Sequence, residues 1–347
     1  MVQKTGNLFF TLTAAMLLTA ATTSAQTSTA PVVDTPIVDT GFVEQAAANG
    51  VLIWDVRSQE EYLRGHVPGA VNIDEIAQLL REPGTEDYIP IASIEQILGE
   101  AGIDPAREIV LYGNKAHTSP YFGYVTVRYL GGERVHVYHG GIDDWKAAGN
   151  PLATDRVKLP PVGIRARLNL AILASTRDVV GKLGDPGVQL VDARTEKEFR
   201  GEDIRALRGG HIPGAINIPF EQNWQDPDTM RKLMRRQVAN KDGMSLKPQD
   251  ELRTLYAALD PQKETIVYCQ SGVRAAETAT VLKSLGFRDV KVYDSSWLGY
   301  GNTFDVPAAN VSYFNVGRVN GMLMQMQQRI DSLEGQIEEL KGAAAKK

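Results

Sequence analysis

The 347-residue chain has one cysteine, Cys269, which excludes a fold stapled by disulfides. It has little excess charge: 37 Lys and Arg stand against 42 Asp and Glu, a net charge of −5. No basic surface large enough to mark a nucleic-acid partner is evident. The densest basic run, Arg231, Lys232, Arg235 and Arg236, is interleaved at helical spacing with Met230, Leu233 and Met234 and reads as a solvated helix face. Histidine is scarce as well. The five present show no ligand spacing with the cysteine, so no metal and no organic cofactor is expected. No stretch reaches the ~18 apolar residues of a membrane span. What remains is an ordinary globular balance, 43% hydrophobic and 23% charged, at a length that predicts two domains.

Residues 1–25 read as a cleavable secretory signal. Lys4 precedes an apolar stretch from Leu8 to Ala21, and Thr23, Ser24 and Ala25 form a small-residue cleavage site. No cysteine lies near the cut, so a lipid anchor is not expected. The mature protein is thus expected in the periplasm or secreted, with no membrane span after cleavage. In an oxidising compartment a lone cysteine signals an intermolecular bond or a reactive thiol.

The remaining chain contains itself twice. Val51-Leu52-Ile53-Trp54-Asp55-Val56-Arg57 parallels Val188-Gln189-Leu190-Val191-Asp192-Ala193-Arg194. Gly65-His66-Val67-Pro68-Gly69-Ala70 parallels Gly210-His211-Ile212-Pro213-Gly214-Ala215, and Tyr112 and Tyr138 parallel Tyr268 and Tyr293. Each copy alternates short β-branched runs with helical stretches such as Ser93–Ala101 and the amphipathic Pro120–Leu130. That alternation predicts an α/β fold with a mostly parallel sheet flanked by helices. The copies span residues 38–152 and 166–308, joined by an extended linker at 153–165 containing Pro160-Pro161. His66 and His211 read as turn histidines bonding to backbone, and Asp55 and Asp192 as residues that tie loops together.

Cys269 opens the segment Cys269-Gln270-Ser271-Gly272-Val273-Arg274 between a strand ending at Tyr268 and a helix starting near Ala275. Open α/β sheets place ligands at such strand ends. A curled loop at a helix N-terminus gathers backbone N–H groups. Those donors favour a thiolate, and cysteines in such settings ionise roughly between pH 3.5 and 7.5. Arg274 adds a fixed positive charge.

Together these segments resemble a tandem-domain rhodanese, over about residues 38–308. The resemblance implies two rhodanese-like domains and a persulfide carried on Cys269. It implies catalytic roles for Cys269 and Arg274, with substrate contacts from Gln270, Ser271, Gly272 and Val273. It also implies Arg194 and Arg200 as ligands of a small anionic sulfur donor, since a guanidinium fork suits carboxylate or sulfonate oxygens. For Arg194 the alternative is an ion pair with Asp192 or Glu198. The donor is expected to be thiosulfate or 3-mercaptopyruvate and the acceptor cyanide or a thiol. Gln270 and Ser271 match neither the Cys-Arg-Lys-Gly nor the Cys-Gly-Ser-Gly loop of those two classes. Copy one has Gly113 where copy two has Cys269, so that half is expected to be non-catalytic and to wall the cleft. A Cys-Arg loop phosphatase or arsenate reductase places five residues between Cys and Arg; here there are four. A persulfide carrier delivering to a protein partner is the other alternative.

The tail at 312–345 has a different pattern. Val316, Val319, Leu323, Met326, Ile330, Leu333, Ile337 and Leu340 alternate three and four apart. That heptad pattern predicts a coiled-coil homodimer through Val316–Leu340, with Arg329 facing the partner's position of Glu334. Gly321 and Gly335 weaken the helix by about 1 kcal/mol each. The alternative is a helix lying on its own domain.

Overall fold

The structure is a computed structural model that describes residues 1–2 and 36–344. The expected signal segment, apart from Met1 and Val2, lies outside the described residues.

Two five-stranded parallel sheets carry the two copies. In the first, β1 (Ile37–Val38), β2 (Leu52–Asp55), β3 (Val71–Asn72), β4 (Ile109–Tyr112) and β5 (Val135–Tyr138) lie in the order β1-β5-β4-β2-β3. In the second, β6 (Leu173–Ala174), β7 (Val188–Asp192), β9 (Ile216–Asn217), β10 (Glu264–Tyr268) and β11 (Val290–Tyr293) repeat that order as β6-β11-β10-β7-β9. The central strands are buried and mostly apolar because helices cover both faces.

The duplication extends to single hydrogen bonds. Asn72 donates to the carbonyls of Asp55 and Arg57, and Asn217 to those of Asp192 and Arg194. The Tyr112 hydroxyl accepts from Val67 N–H, and the Tyr268 hydroxyl from Ile212 N–H. His66 Nδ1 lies 2.9 Å from the Tyr62 carbonyl and His211 Nδ1 2.8 Å from that of Phe199, as turn histidines do.

The domains share a core. Helix Ser119–Tyr129 of the first packs against helix Val273–Ser284 of the second. The amphipathic pattern expected of the former gives way to burial on all sides over Ser119–Val127, because it is pressed between its own sheet and the other domain. A β-carbon on Gly123 would lie 2.4 Å from Leu111 Cδ2 and 2.8 Å from Ile76 Cδ1, so a larger residue here would push those side chains aside. The linker is extended but pinned: Val162 N–H donates to Gly99 O, and just beyond it Arg167 N–H donates to Leu130 O.

One domain boundary needs correcting. β12 (Ala309–Tyr313) pairs antiparallel with β8 (Arg208–His211), so the second domain runs past 308. The tail helix begins at Val316 and ends at Ala344. Its stripe does not lie on its own domain: Leu323, Met326, Ile330, Leu333, Ile337 and Leu340 are 40–70% exposed. Among the described residues, no helix is long and apolar enough to cross a membrane.

Candidate active site

β10 ends at Tyr268 and delivers Cys269 to the carboxyl edge of the second sheet, where its side chain is 1% exposed. The chain turns there. Gly272 adopts φ +85° and caps the helix Val273–Ser284, and a β-carbon at this position would meet the Asp294 carbonyl at 2.9 Å. Side-chain bulk and backbone sterics both demand glycine at this position.

The turn leaves amides unspent. Cys269 N–H donates to Ser296 Oγ at 3.1 Å. The N–H groups of residues 270–274 find no acceptor among the described residues. They are the free donors that open a helix, and they follow directly on the thiol. The corresponding first-domain loop uses its amides: Lys115 N–H donates to Asp143, Ala116 N–H to His139 O and His117 N–H to Asn114 O. That half therefore lacks both the thiol and the cradle.

Arg274 stands over this loop but is not free. Glu198 accepts from both of its terminal nitrogens at 2.9 and 2.8 Å, and Phe220 lies under the guanidinium at 6.0 Å. Glu198 reaches this position from the short helix Glu196–Phe199, whose Thr195 cap shares its carboxylate. Burial acts to raise the Glu198 carboxyl, but the Arg274 fork and the Thr195 donors prevail and hold it at about 2. Burial acts against the Arg274 charge, yet Glu198 and Cys269 raise that guanidinium above its ordinary value. Arg205 also approaches Glu198, at 3.4 Å, while its carbonyl accepts from Gln270 Nε2 at 2.7 Å.

The two expected donor ligands both have protein partners in the structure. Arg194 is 1% exposed, bonds Asp192 through Nε and Nη2, donates to Gly210 O and stacks 4.6 Å from the Trp297 ring. Its fork is committed to tying β7 to the β8 turn, as its counterpart Arg57 does with Asp55 and Gly65. Arg200 pairs with Glu196 on an exposed helix end and borders a hollow with Phe199, Asn217 and Gln222. The expected loop residues Gln270, Ser271, Gly272 and Val273 do stand together beside Cys269.

The thiol-less loop of the first domain forms one wall of a cleft of about 520 Å³. Asn114, Lys115 and His117 face Phe220, Glu221, Trp224, Met230 and Met234 across it. Phe220 borders both this cleft and Arg274. Burial raises the Glu221 carboxyl there. Arg231 lines the cleft and pairs with Asp228, so the basic run is only partly a solvated face.

Sequence reasoning missed Arg81, Arg205, Ser296 and Asp294, and offered Glu198 only as a partner of Arg194 rather than of Arg274. Glu198 carried a signal: Thr195-Glu-Lys-Glu198 is a capping box repeating Ser58–Glu61 of copy one, where Glu61 instead accepts from Asn114. Ser296 carried none, although its φ of +49° echoes Gly141 at +55° in the first domain.

The Rhodanese-like domain family model matches residues 41–148 and 175–303. The chain is 33% identical to a putative thiosulfate sulfurtransferase of Haloferax volcanii over 258 residues, covering 72% of this chain and 84% of that protein. It is 35% identical to the thiosulfate sulfurtransferase of Corynebacterium glutamicum over 267 residues, 73% and 83% of the two chains. Among solved structures it resembles an anaerobic ergothioneine biosynthesis enzyme from Chlorobium limicola, at a TM-score of 0.67 and 23% identity, over 79% and 70% of the chains. A related structure with the same score and identity contains a cysteine persulfide with ergothioneine.

Proposed function

The chain belongs to the rhodanese family of sulfurtransferases, and we propose that it takes sulfane sulfur from thiosulfate onto Cys269 and passes it to a thiophilic acceptor. The observation that carries this reading is the turn after Tyr268. The chain's single thiol is followed by amides that have no acceptor among the described residues, with Arg274 beside them. Such a cradle stabilises a thiolate or a persulfide, both of them anions whose charge sits on a terminal sulfur.

In the forward half-reaction the Cys269 thiolate attacks the outer sulfur of thiosulfate. A sulfur–sulfur bond forms, the donor's own sulfur–sulfur bond breaks, and sulfite leaves with the electron pair. In the second half-reaction cyanide attacks the terminal persulfide sulfur, thiocyanate departs, and the thiolate returns. Arg274 offsets the anionic charge gathered at the loop. Thiosulfate is favoured over 3-mercaptopyruvate because the relatives reported above are named for it. The four-residue spacing between Cys269 and Arg274 supports sulfur over phosphate as cargo.

The decisive assay is turnover. Thiosulfate and cyanide should give thiocyanate with the wild type and none with Cys269→Ser. Turnover with a small acceptor also separates an enzyme from a carrier that delivers only to a protein partner. Two further parts of the proposal are untouched by this assay. We propose export of the mature chain, from the signal pattern in residues 1–25. We also propose a homodimer through Val316–Leu340, supported by the exposed stripe of the helix Val316–Ala344.

A further inference from the structure

The first domain lacks a thiol, yet one of its side chains holds the backbone of the reactive loop. Arg81 lies in the segment between the helix Ile76–Leu79 and Tyr88. Its guanidinium is buried and sits over the Phe122 ring at 5.0 Å. Nη1 donates to the Ser271 carbonyl, and Nη2 donates to Asp294 Oδ1 at 3.0 Å. Asp294 also accepts from the Tyr88 backbone, and its neighbour Ser295 donates to Asp87 at 2.6 Å. The next residue, Ser296, accepts the Cys269 N–H. One first-domain segment therefore grips both the loop that bears the thiol and the strand end that receives its amide.

The peptide between Ser271 and Gly272 is planar and trans, so its C=O and N–H point in opposite directions. With the carbonyl bonded to Arg81, the Gly272 N–H points to the other side of the peptide, away from that guanidinium. A charged donor on the carbonyl also polarises the peptide and strengthens its N–H as a donor. Gly272 packs directly on Asp294, so the residue that anchors Arg81 also fixes the floor under this peptide.

We propose that Arg81 is a positioning residue for sulfur transfer, supplied by the non-catalytic domain to aim the Gly272 amide into the cradle of Cys269. The inference rests on the sulfurtransferase reading of Cys269. It gives the thiol-less domain a task beyond walling the cleft.

Removing Arg81 alone strands the buried Asp294 carboxylate, so the test uses Asp294→Asn as background and adds Arg81→Gln. Arg81→Lys in the otherwise unchanged full-length chain is the second variant. Lysine keeps a charge beside Asp294 but lacks the fork that also serves Ser271. Two rates are read where near-UV circular dichroism shows each variant folded. They are Cys269 persulfide formation with thiosulfate in a single turnover, and Cys269 alkylation by iodoacetamide at fixed pH. We expect each substitution of Arg81 to slow both rates by about tenfold or more, as lost or misaimed anion-hole donors do. Both rates within twofold of their reference, with only the melting temperature lowered, would show that Arg81 merely joins the domains. Alkylation needs no sulfur donor. If the wild type alkylates but takes no sulfur from thiosulfate, the functional reading fails while the alkylation rates still decide the role of Arg81.

Discussion

Glu198 holds Arg274 with two hydrogen bonds, at 2.8 and 2.9 Å, on a carboxylate that is almost wholly buried. The cation beside the reactive loop is thus set in place before any donor arrives. Arg274→Ala should lower kcat/KM for thiosulfate by about a hundredfold, the scale of a lost anion-stabilising group. Arg274→Lys should recover only part of this, because an ammonium cannot fork to both Glu198 oxygens. Steady-state kinetics on the three proteins checks both statements.

The same pair predicts a pH dependence of stability. Glu198 is held at about 2, below its ordinary 4.5. A depressed carboxyl contributes stability that is present above the unfolded value and lost as pH falls through the folded one. The window is therefore pH 4.5 down to about 2, with a contribution on the order of 3 kcal/mol. Denaturant unfolding between pH 6 and 3 should show a steeper acid loss in the wild type than in Glu198→Gln. Parallel curves would contradict the assignment.

Arg194 and Arg200 separate a structural arginine from a surface one. Arg194→Met leaves Asp192 buried without its partner and should cost roughly 3–5 kcal/mol. In the fraction that folds, the Michaelis constant for thiosulfate should stay within twofold. Arg200→Ala should leave both stability and kinetics nearly unchanged, since exposed ion pairs contribute about 0–1 kcal/mol. A large rise in the Michaelis constant with either variant would show that arginine to bind the donor.

Much of this arrangement was legible in the sequence. The repeats marked both sheets, because buried parallel strands are short β-branched runs bounded by turn residues. Cys269 was legible for the same reason: the run ends at Tyr268 and glycine follows within four residues. Arg81 was not legible, because its targets Ser271 and Asp294 are 190 and 213 positions away and meet it only when the domains dock. The partner of Arg194 was not legible, because Asp-x-Arg spacing is the same whether the guanidinium turns outward to a ligand or folds back on the aspartate, as it does here. β12 was missed because Ala309–Tyr313 lies at the margin of the second copy, and its pairing is with β8 rather than either parallel sheet.

The tail provides a test of assembly. Truncation must follow Asn315, since Phe314 N–H still donates to Leu207 O and β12 is paired. Light scattering should give a dimer for the chain that includes Val316–Ala344 and an active monomer for the chain ending at Asn315. Monomer mass for both would contradict the dimer.

The central claim is that Cys269 carries the sulfur. Intact-protein mass spectrometry after incubation with thiosulfate tests it most directly. The account predicts a gain of one sulfur atom, mapped by peptide analysis to Cys269, removed by cyanide with release of thiocyanate, and absent in Cys269→Ser. A wild-type protein that turns over thiosulfate without this adduct, or a Cys269→Ser variant that remains active, would contradict it.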